Sequence, residues 1–119
     1  MKKILLASIL LAIGTSAFAA SSPVALSAGS NTVATTGGCE LLSAPVTATL
    51  SASNIGNVSC DDTTANIGVA VSNTSGKFKI YSLSSAGGAI ATFTGTAASD
   101  AAAVATKAAS CSATACVSN

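Results

Sequence analysis

Bulky apolar side chains are scarce over most of this chain. From Ala20 onward, 19 of 100 residues are Leu, Ile, Val or Phe, and much of the other apolar content is alanine. A small domain of this composition buries little surface, so it needs cross-links or partners to stay folded. The net charge of this part is −1, so self-repulsion does not hold the chain open.

The first nineteen residues have the pattern of a signal peptide. Lys2 and Lys3 precede an apolar run over residues 4–13, and Ala17-Phe18-Ala19 fits the small-x-small pattern for cleavage after Ala19. The run has about half the ~20 residues that a transmembrane helix needs. We therefore predict a signal peptide over 1–19 and no transmembrane segment after its removal. The expected location is secreted, extracellular or at the cell surface, with the periplasm as the alternative.

Four cysteines lie in the exported part, at Cys39, Cys60, Cys111 and Cys116. In a short secreted chain this number predicts two disulfides, which have three possible pairings. The pairs Cys39–Cys60 and Cys111–Cys116 are favoured because each closes a local loop. A metal site is not expected, since the chain has no histidine and the cysteine spacing is not typical of zinc. No cofactor is predicted.

Short apolar runs alternate with turn residues after Cys39. The runs cover residues 45–52, 55–60, 65–72, 77–84 and 89–94, and Asn, Asp and Gly separate them. This alternation of apolar runs and turn residues predicts antiparallel strands joined by hairpins. The expected fold is mainly β, a small antiparallel β-sandwich or open barrel. Ile67, Val69 and Val71 share one strand face, which predicts one buried and one solvent-exposed face.

The flanking segments differ from this strand pattern. Residues 96–110 are rich in alanine, with Ser99 or Asp100 as the cap and Lys107 late, which predicts one short C-terminal helix. Residues 39–119 are expected to form a single disulfide-stabilised β-rich domain. Residues 20–38 are interpreted as a flexible or donor-strand-like N-terminal arm. Three of its residues are possible assembly contacts: Val24, Leu26 and Val33.

Charged and polar residues offer few candidates for chemistry. Asp61 and Asp62 are interpreted as a solvated turn, and Lys77 and Lys79 as an exposed strand face kept soluble by charge. The chain has no histidine to activate its serines and threonines. An enzyme is therefore not expected.

Aromatic and basic residues are also few. The chain has no arginine, and the aromatics after residue 19 are Phe78, Tyr81 and Phe93, so nucleic-acid binding is not predicted. Asn57 and Asn73 each begin a short glycosylation pattern, and both are interpreted as turn residues.

The segment 38–83 resembles known secreted subunits. Gly38-Cys39-Glu40 begins its first core strand, and Asn57-Val58-Ser59-Cys60 ends a later one. This layout is similar to bacterial fimbrial and spore-coat-protein-U-like proteins, which are exported β-sandwich subunits with an early disulfide between two strands. The alanine-rich last third, with its own cysteine pair, departs from that pattern. The resemblance implies a structural fimbrium-like role.

Two functions remain open at this point. The first is an exported structural subunit of an extracellular filament, pilus-like appendage or surface coat, which assembles into a homo-oligomer or polymer through β-strand edges. The alternative is a monomeric periplasmic or secreted binding module for a sugar or protein partner. An exposed concave site lined by Phe78, Tyr81 or Phe93 would favour the alternative.

Overall fold

The computed structural model describes residues 23–75, 79–94 and 100–116. These ranges contain seven strands and one helix. The elements are β1 (Val24–Leu26), β2 (Gly29–Val33), β3 (Val46–Leu50), β4 (Asn54–Asp61), β5 (Asn66–Asn73), β6 (Lys79–Ser84), β7 (Ala91–Thr94) and α1 (Ala101–Ala113). The predicted signal peptide and the two residues Lys77 and Phe78 lie outside the described residues.

The strands form two antiparallel sheets. The larger has the order β1-β4-β5-β6-β7, and the smaller pairs β2 with β3. With one C-terminal helix and disulfides at Cys39–Cys60 and Cys111–Cys116, this architecture confirms the predicted mainly β, antiparallel fold. The five predicted strand runs correspond to β3 through β7, because turn residues delimit each of them.

Helix α1 packs against one face of the larger sheet, on β4, β5 and β6. The face of β5 that meets it carries small residues, Gly68, Ala70 and Ser72, all of which are buried. The branched residues Ile67 and Val69 lie on the opposite face and are half-buried. The sequence pattern predicted that one face of β5 is solvent-exposed. This is wrong, because α1 covers the face that carries Gly68 and Ala70, where the small side chains let the helix backbone come close to the sheet.

The helix is longer at its C-terminal end than predicted, since it continues to Ala113. Its start agrees with the sequence: the Asp100 carboxylate accepts a hydrogen bond from the backbone N–H of Ala102 at 2.9 Å. Its end is tied to the sheet by two hydroxyl contacts. Thr64 Oγ1 donates to the Ser112 carbonyl at 2.8 Å, and the Ser112 and Ser59 hydroxyl oxygens are hydrogen-bonded at 3.1 Å.

Serines occupy much of the surface between the sheet and the helix. Ser72 Oγ donates to the Lys79 carbonyl at 2.9 Å, so that buried hydroxyl is satisfied. Ser82 Oγ is buried without a hydrogen-bond partner among the described residues. Apolar contacts come mainly from Phe93 and Val104, which pack with Ile80 and several alanines. The core on this side is thin, as the composition indicates.

A second cluster of buried residues lies on the opposite face of the larger sheet. It joins Leu26 and Val58 from that sheet to Val33 of β2, with the Cys39–Cys60 disulfide at its centre. Ala48 and Leu50 of β3 pack against it. The smaller sheet thus covers the part of the larger sheet formed by β1 and β4.

Candidate assembly edge and groove

Part of the larger sheet is left uncovered on the face opposite the helix. Tyr81 and Leu83 of β6 lie there, and each residue is 46% exposed. Ile90, just before β7, is 64% exposed, and Val46 of β3 is 47% exposed. Tyr81 and Leu83 therefore leave apolar surface exposed on this face of β6.

Strand β3 has one edge with which no strand of the described residues pairs. Its sequence, Val46–Leu50, is VTATL, which has β-branched residues and no charge, glycine or proline. Among the described residues, β2 is the only strand that pairs with it. Natural proteins usually protect an open edge with charges, prolines or bulges, because unpaired backbone groups recruit another strand. None of these devices occurs within β3.

The backbone orientation of β3 follows from a contact with β2. Asn31 Nδ2 donates to the Ala48 carbonyl at 3.4 Å, so this carbonyl points toward β2. Strand residues direct their N–H and C=O groups alternately to the two sides. The backbone groups of Thr47 and Thr49 therefore point away from β2, to the open edge.

A groove of about 200 Å³ separates β3 from β5 and β6. Leu50 forms one wall, and Val71 and Tyr81 are among the sheet residues that line it. At one end, Asn73 Nδ2 donates to Asn54 Oδ1 at 2.7 Å. The described lining carries no formal charge, so the groove suits an apolar or hydroxyl-rich surface rather than an ion.

The predicted assembly arm is folded against its own chain in this structure. Val24 and Leu26 belong to β1, which pairs antiparallel with β4, and Val33 ends β2. Leu26 and Val33 are buried at 5% and 3% exposure. All three residues contribute to the cluster opposite the helix. Any assembly through these side chains requires strand exchange between two chains.

The predicted disulfide residues differ in their surroundings. Cys39 and Cys60 are both buried, and their Cα atoms lie 5.4 Å apart. Cys111 is buried at the end of α1, whereas Cys116 is half-buried in the tail, with a Cα separation of 4.7 Å. A pocket of about 190 Å³ adjoins this second disulfide.

The acidic pair lies at the turn between β4 and β5. Asp61 Oδ1 accepts hydrogen bonds from the backbone N–H groups of Thr63 and Thr64 at 2.9 and 3.2 Å, so it stabilises the β4–β5 turn. The Asp62 carboxylate oxygens are shielded and have no hydrogen-bond partner in the described part of the chain. No group of three or more potential metal ligands occurs within residues 23–75, 79–94 and 100–116.

The remaining predicted side chains fall into different places. Lys79 is exposed on β6, as predicted. Phe93 is buried, and the Lys107 ammonium lies 4.0 Å from its ring centroid.

The two asparagines that were interpreted as turn residues differ. Asn73 is exposed and accepts a hydrogen bond from the Ser75 backbone N–H at 2.9 Å, as expected of a turn residue. Asn57 instead lies within β4 at 4% exposure, so the turn interpretation is wrong for it.

No protein-family model, curated protein or solved structure matches this chain. No helix in the described residues is long and apolar enough to cross a membrane. The two disulfides are compatible with a secreted or extracellular protein.

Of the groove residues, only Tyr81 was predicted from the sequence as a possible binding residue. Leu50, Asn54 and Asn73 belong to three different strands, and only the topology brings them to the same groove. A partial signal was present in the sequence. Asn54 and Asn73 each stand at a predicted strand end, and antiparallel pairing of β4 with β5 places them opposite each other.

Proposed function

We propose that this protein is an exported structural subunit of an extracellular filament, pilus-like appendage or surface coat, and that it assembles through the outer edge of β3. The observation that carries the proposal is the edge itself: five uncharged residues, rich in β-branched side chains, with outward backbone groups at Thr47 and Thr49. Such an edge pairs readily with a strand of a second copy.

The surroundings of the edge support the same proposal. A strand added beside β3 would lie above the groove and cover Val71 and Tyr81. It would extend the smaller sheet over the uncovered part of the larger one, where apolar side chains are now exposed. The thin core adds a further argument, because burying these side chains between copies compensates for the few that each copy buries alone.

A charge on the edge tests this proposal. Thr47 is exposed, so Thr47→Lys leaves the buried clusters intact while it places an ammonium group beside the open edge. Thr63→Lys is the matched control, since Thr63 is an exposed turn residue and its backbone N–H, which bonds Asp61, is retained.

The measurements are sedimentation velocity and negative-stain electron microscopy of oxidised residues 20–119. We expect filaments or large oligomers for the parent protein and Thr63→Lys, and monomers for Thr47→Lys. A parent protein that remains monomeric at high concentration would contradict the proposal. Assembly of Thr47→Lys as efficiently as the control would show that another surface is used.

The groove favours one alternative function, a secreted binding module for a sugar. An exposed tyrosine beside two asparagine amides, Asn54 and Asn73, combines an apolar ring with hydrogen-bonding groups, as sugar sites require. The test is glycan-array binding of Tyr81→Ala against Leu83→Ala. Leu83 is equally exposed on the same strand face but does not line the groove. Glycan binding that is lost in Tyr81→Ala and retained in Leu83→Ala would support this function. A monomeric parent protein that binds no glycan would refute it.

A further inference from the structure

The two disulfides differ in how a reagent can reach them. Cys39 and Cys60 are 0% and 2% exposed inside the cluster between the sheets. Cys116 is half-buried and, with Cys111, lines an open pocket of about 190 Å³. A small molecule that enters this pocket contacts residues of the second disulfide, whereas the first disulfide becomes accessible only when the sheets separate.

The helix end has contacts with the sheet that do not involve the second disulfide. Ser112 is tied to the sheet through Thr64 Oγ1 and Ser59 Oγ, at 2.8 and 3.1 Å. Gly68 of β5 lies directly beneath the helix backbone at the same level. The disulfide instead links the tail at Cys116 to the helix. Its opening would therefore release the tail and leave α1 on the sheet.

A cation lines the same pocket. Lys107 lies about one turn before Cys111 on α1, and its ammonium group rests over the Phe93 ring at 4.0 Å from the centroid. The hydroxyl residues Ser110 and Thr114 complete the polar part of the lining, and among the described residues no acidic side chain contributes to it. The pocket thus favours an entering group that carries negative charge.

We propose that Cys116 is a site of reversible S-thiolation by small anionic thiols, independently of the assembly proposed above. The entering thiolate attacks Cys116 Sγ, and a new sulfur–sulfur bond forms as the Cys111–Cys116 bond breaks. Cys111 leaves as a thiolate and takes a proton from water. The entering thiol is oxidised to the disulfide level while Cys111 is reduced, so no other oxidant is required.

Attack at Cys116 rather than Cys111 follows from burial. Cys111 belongs to the last turn of α1 and is 1% exposed, whereas Cys116 lies in the tail and lines the pocket. Thiol–disulfide exchange depends on access to the attacked sulfur as well as on the thiolate. The product therefore carries the small thiol on the tail and a reduced cysteine on the helix.

The test uses the oxidised protein with both disulfides formed. It is treated with 2-mercaptoethanesulfonate, an anionic thiol, or with cysteamine, a cationic one, at equal thiolate concentration. Samples are quenched with acid, free thiols are alkylated, and peptide mass spectrometry locates the adducts. Far-UV circular dichroism follows the helix in parallel.

The expected product has the sulfonate thiol on Cys116, alkylation at Cys111 and an intact Cys39–Cys60 bond. We expect the second disulfide to open at least roughly 10-fold faster than the first, because access limits exchange. The helical signal should persist. Opening of both disulfides together, or loss of the helical signal as the adduct forms, would overturn the proposal.

A charge variant tests the role of the pocket cation. Lys107→Gln should slow the reaction with the anionic thiol roughly two- to fivefold, the range that an exposed charge pair contributes, and should not slow cysteamine. Lys79→Gln is the control, since it removes the same charge from an exposed position on β6 outside the pocket. Equal effects of the two variants, or no preference for the anionic thiol in the parent protein, would refute the selectivity.

Discussion

Adding one methyl group at Gly68 tests whether α1 is docked by direct backbone contact. A Cβ at this position would overlap the Ala108 carbonyl oxygen and would lie 2.5 Å from the Ser112 backbone nitrogen. Both atoms belong to the helix backbone, so no side-chain rotation relieves the overlap. In Gly68→Ala, the helix must therefore move away from the sheet.

The expected cost follows from the contacts that this movement disturbs. Overpacking of a well-packed interface costs about 1–3 kcal/mol. The hydrogen bonds of Ser112 with Thr64 and Ser59 weaken at the same time, at about 0.5–1.5 kcal/mol each. We expect Gly68→Ala to lower the free energy of unfolding by about 3 kcal/mol and the melting temperature by roughly 12–24 °C. This is a large fraction of the stability of a small domain.

The assay is urea unfolding of the oxidised protein, followed by far-UV circular dichroism, with Gly56→Ala as the control. Gly56 belongs to β4 and lies on the sheet face that points away from α1. A Cβ there would meet the Ala70 carbonyl oxygen and Val71 Cγ1 at 3.3 Å each. Both variants restrict the unfolded chain equally, so their difference isolates the folded-state contact. We expect the control to cost less than about 1 kcal/mol. Equal losses in the two variants would refute the backbone-contact argument.

Three further changes should alter stability in defined directions. Replacing Cys39 and Cys60 with serine should lower the free energy of unfolding by about 3 kcal/mol, because their disulfide closes a 21-residue separation. Denaturant titration under oxidising conditions measures this loss, and an unchanged unfolding midpoint would contradict the prediction. Ser82→Ala should raise stability by about 1 kcal/mol, since its buried hydroxyl has no partner among the described residues; a lower urea midpoint would show that the hydroxyl is satisfied. Asp100→Ala should cost about 1 kcal/mol through loss of the helix cap, whereas Asp100→Asn should retain most of the stability.

The strands and the helix start were predictable because their signals are local. Turn residues delimit β3 through β7, and the side chain of Asp100 caps α1 through a contact only two residues away. The N-terminal strands gave a weaker signal. β1 has three residues and β2 begins with glycine, so their pairing depends on β4 and β3, which are distant in sequence.

The face on which α1 packs was not predictable from a single strand. If bulky residues point inward, the face of β5 that carries Val69 should be the more buried one. Instead, Gly68 and Ala70 on the other face are more deeply buried. The same inversion occurs in β6, where Ser82 faces the helix and Leu83 faces solvent. Small residues become the better choice only when a helix backbone approaches, and that approach is a tertiary property.

The assembly edge adjoins the groove, because Leu50 ends β3 and also lines the groove. If a strand that pairs with β3 extends over the groove, as proposed above, assembly through this edge buries Tyr81. The chain contains one tyrosine and no tryptophan, which makes intrinsic tyrosine fluorescence a report on the groove alone. We expect iodide to quench Tyr81 efficiently in the monomer and much less in the assembled protein, with Thr47→Lys remaining quenchable at every concentration. Assemblies in which Tyr81 stays as accessible as in the monomer would place the contact at a different edge, and the groove would then remain open to a ligand on every subunit.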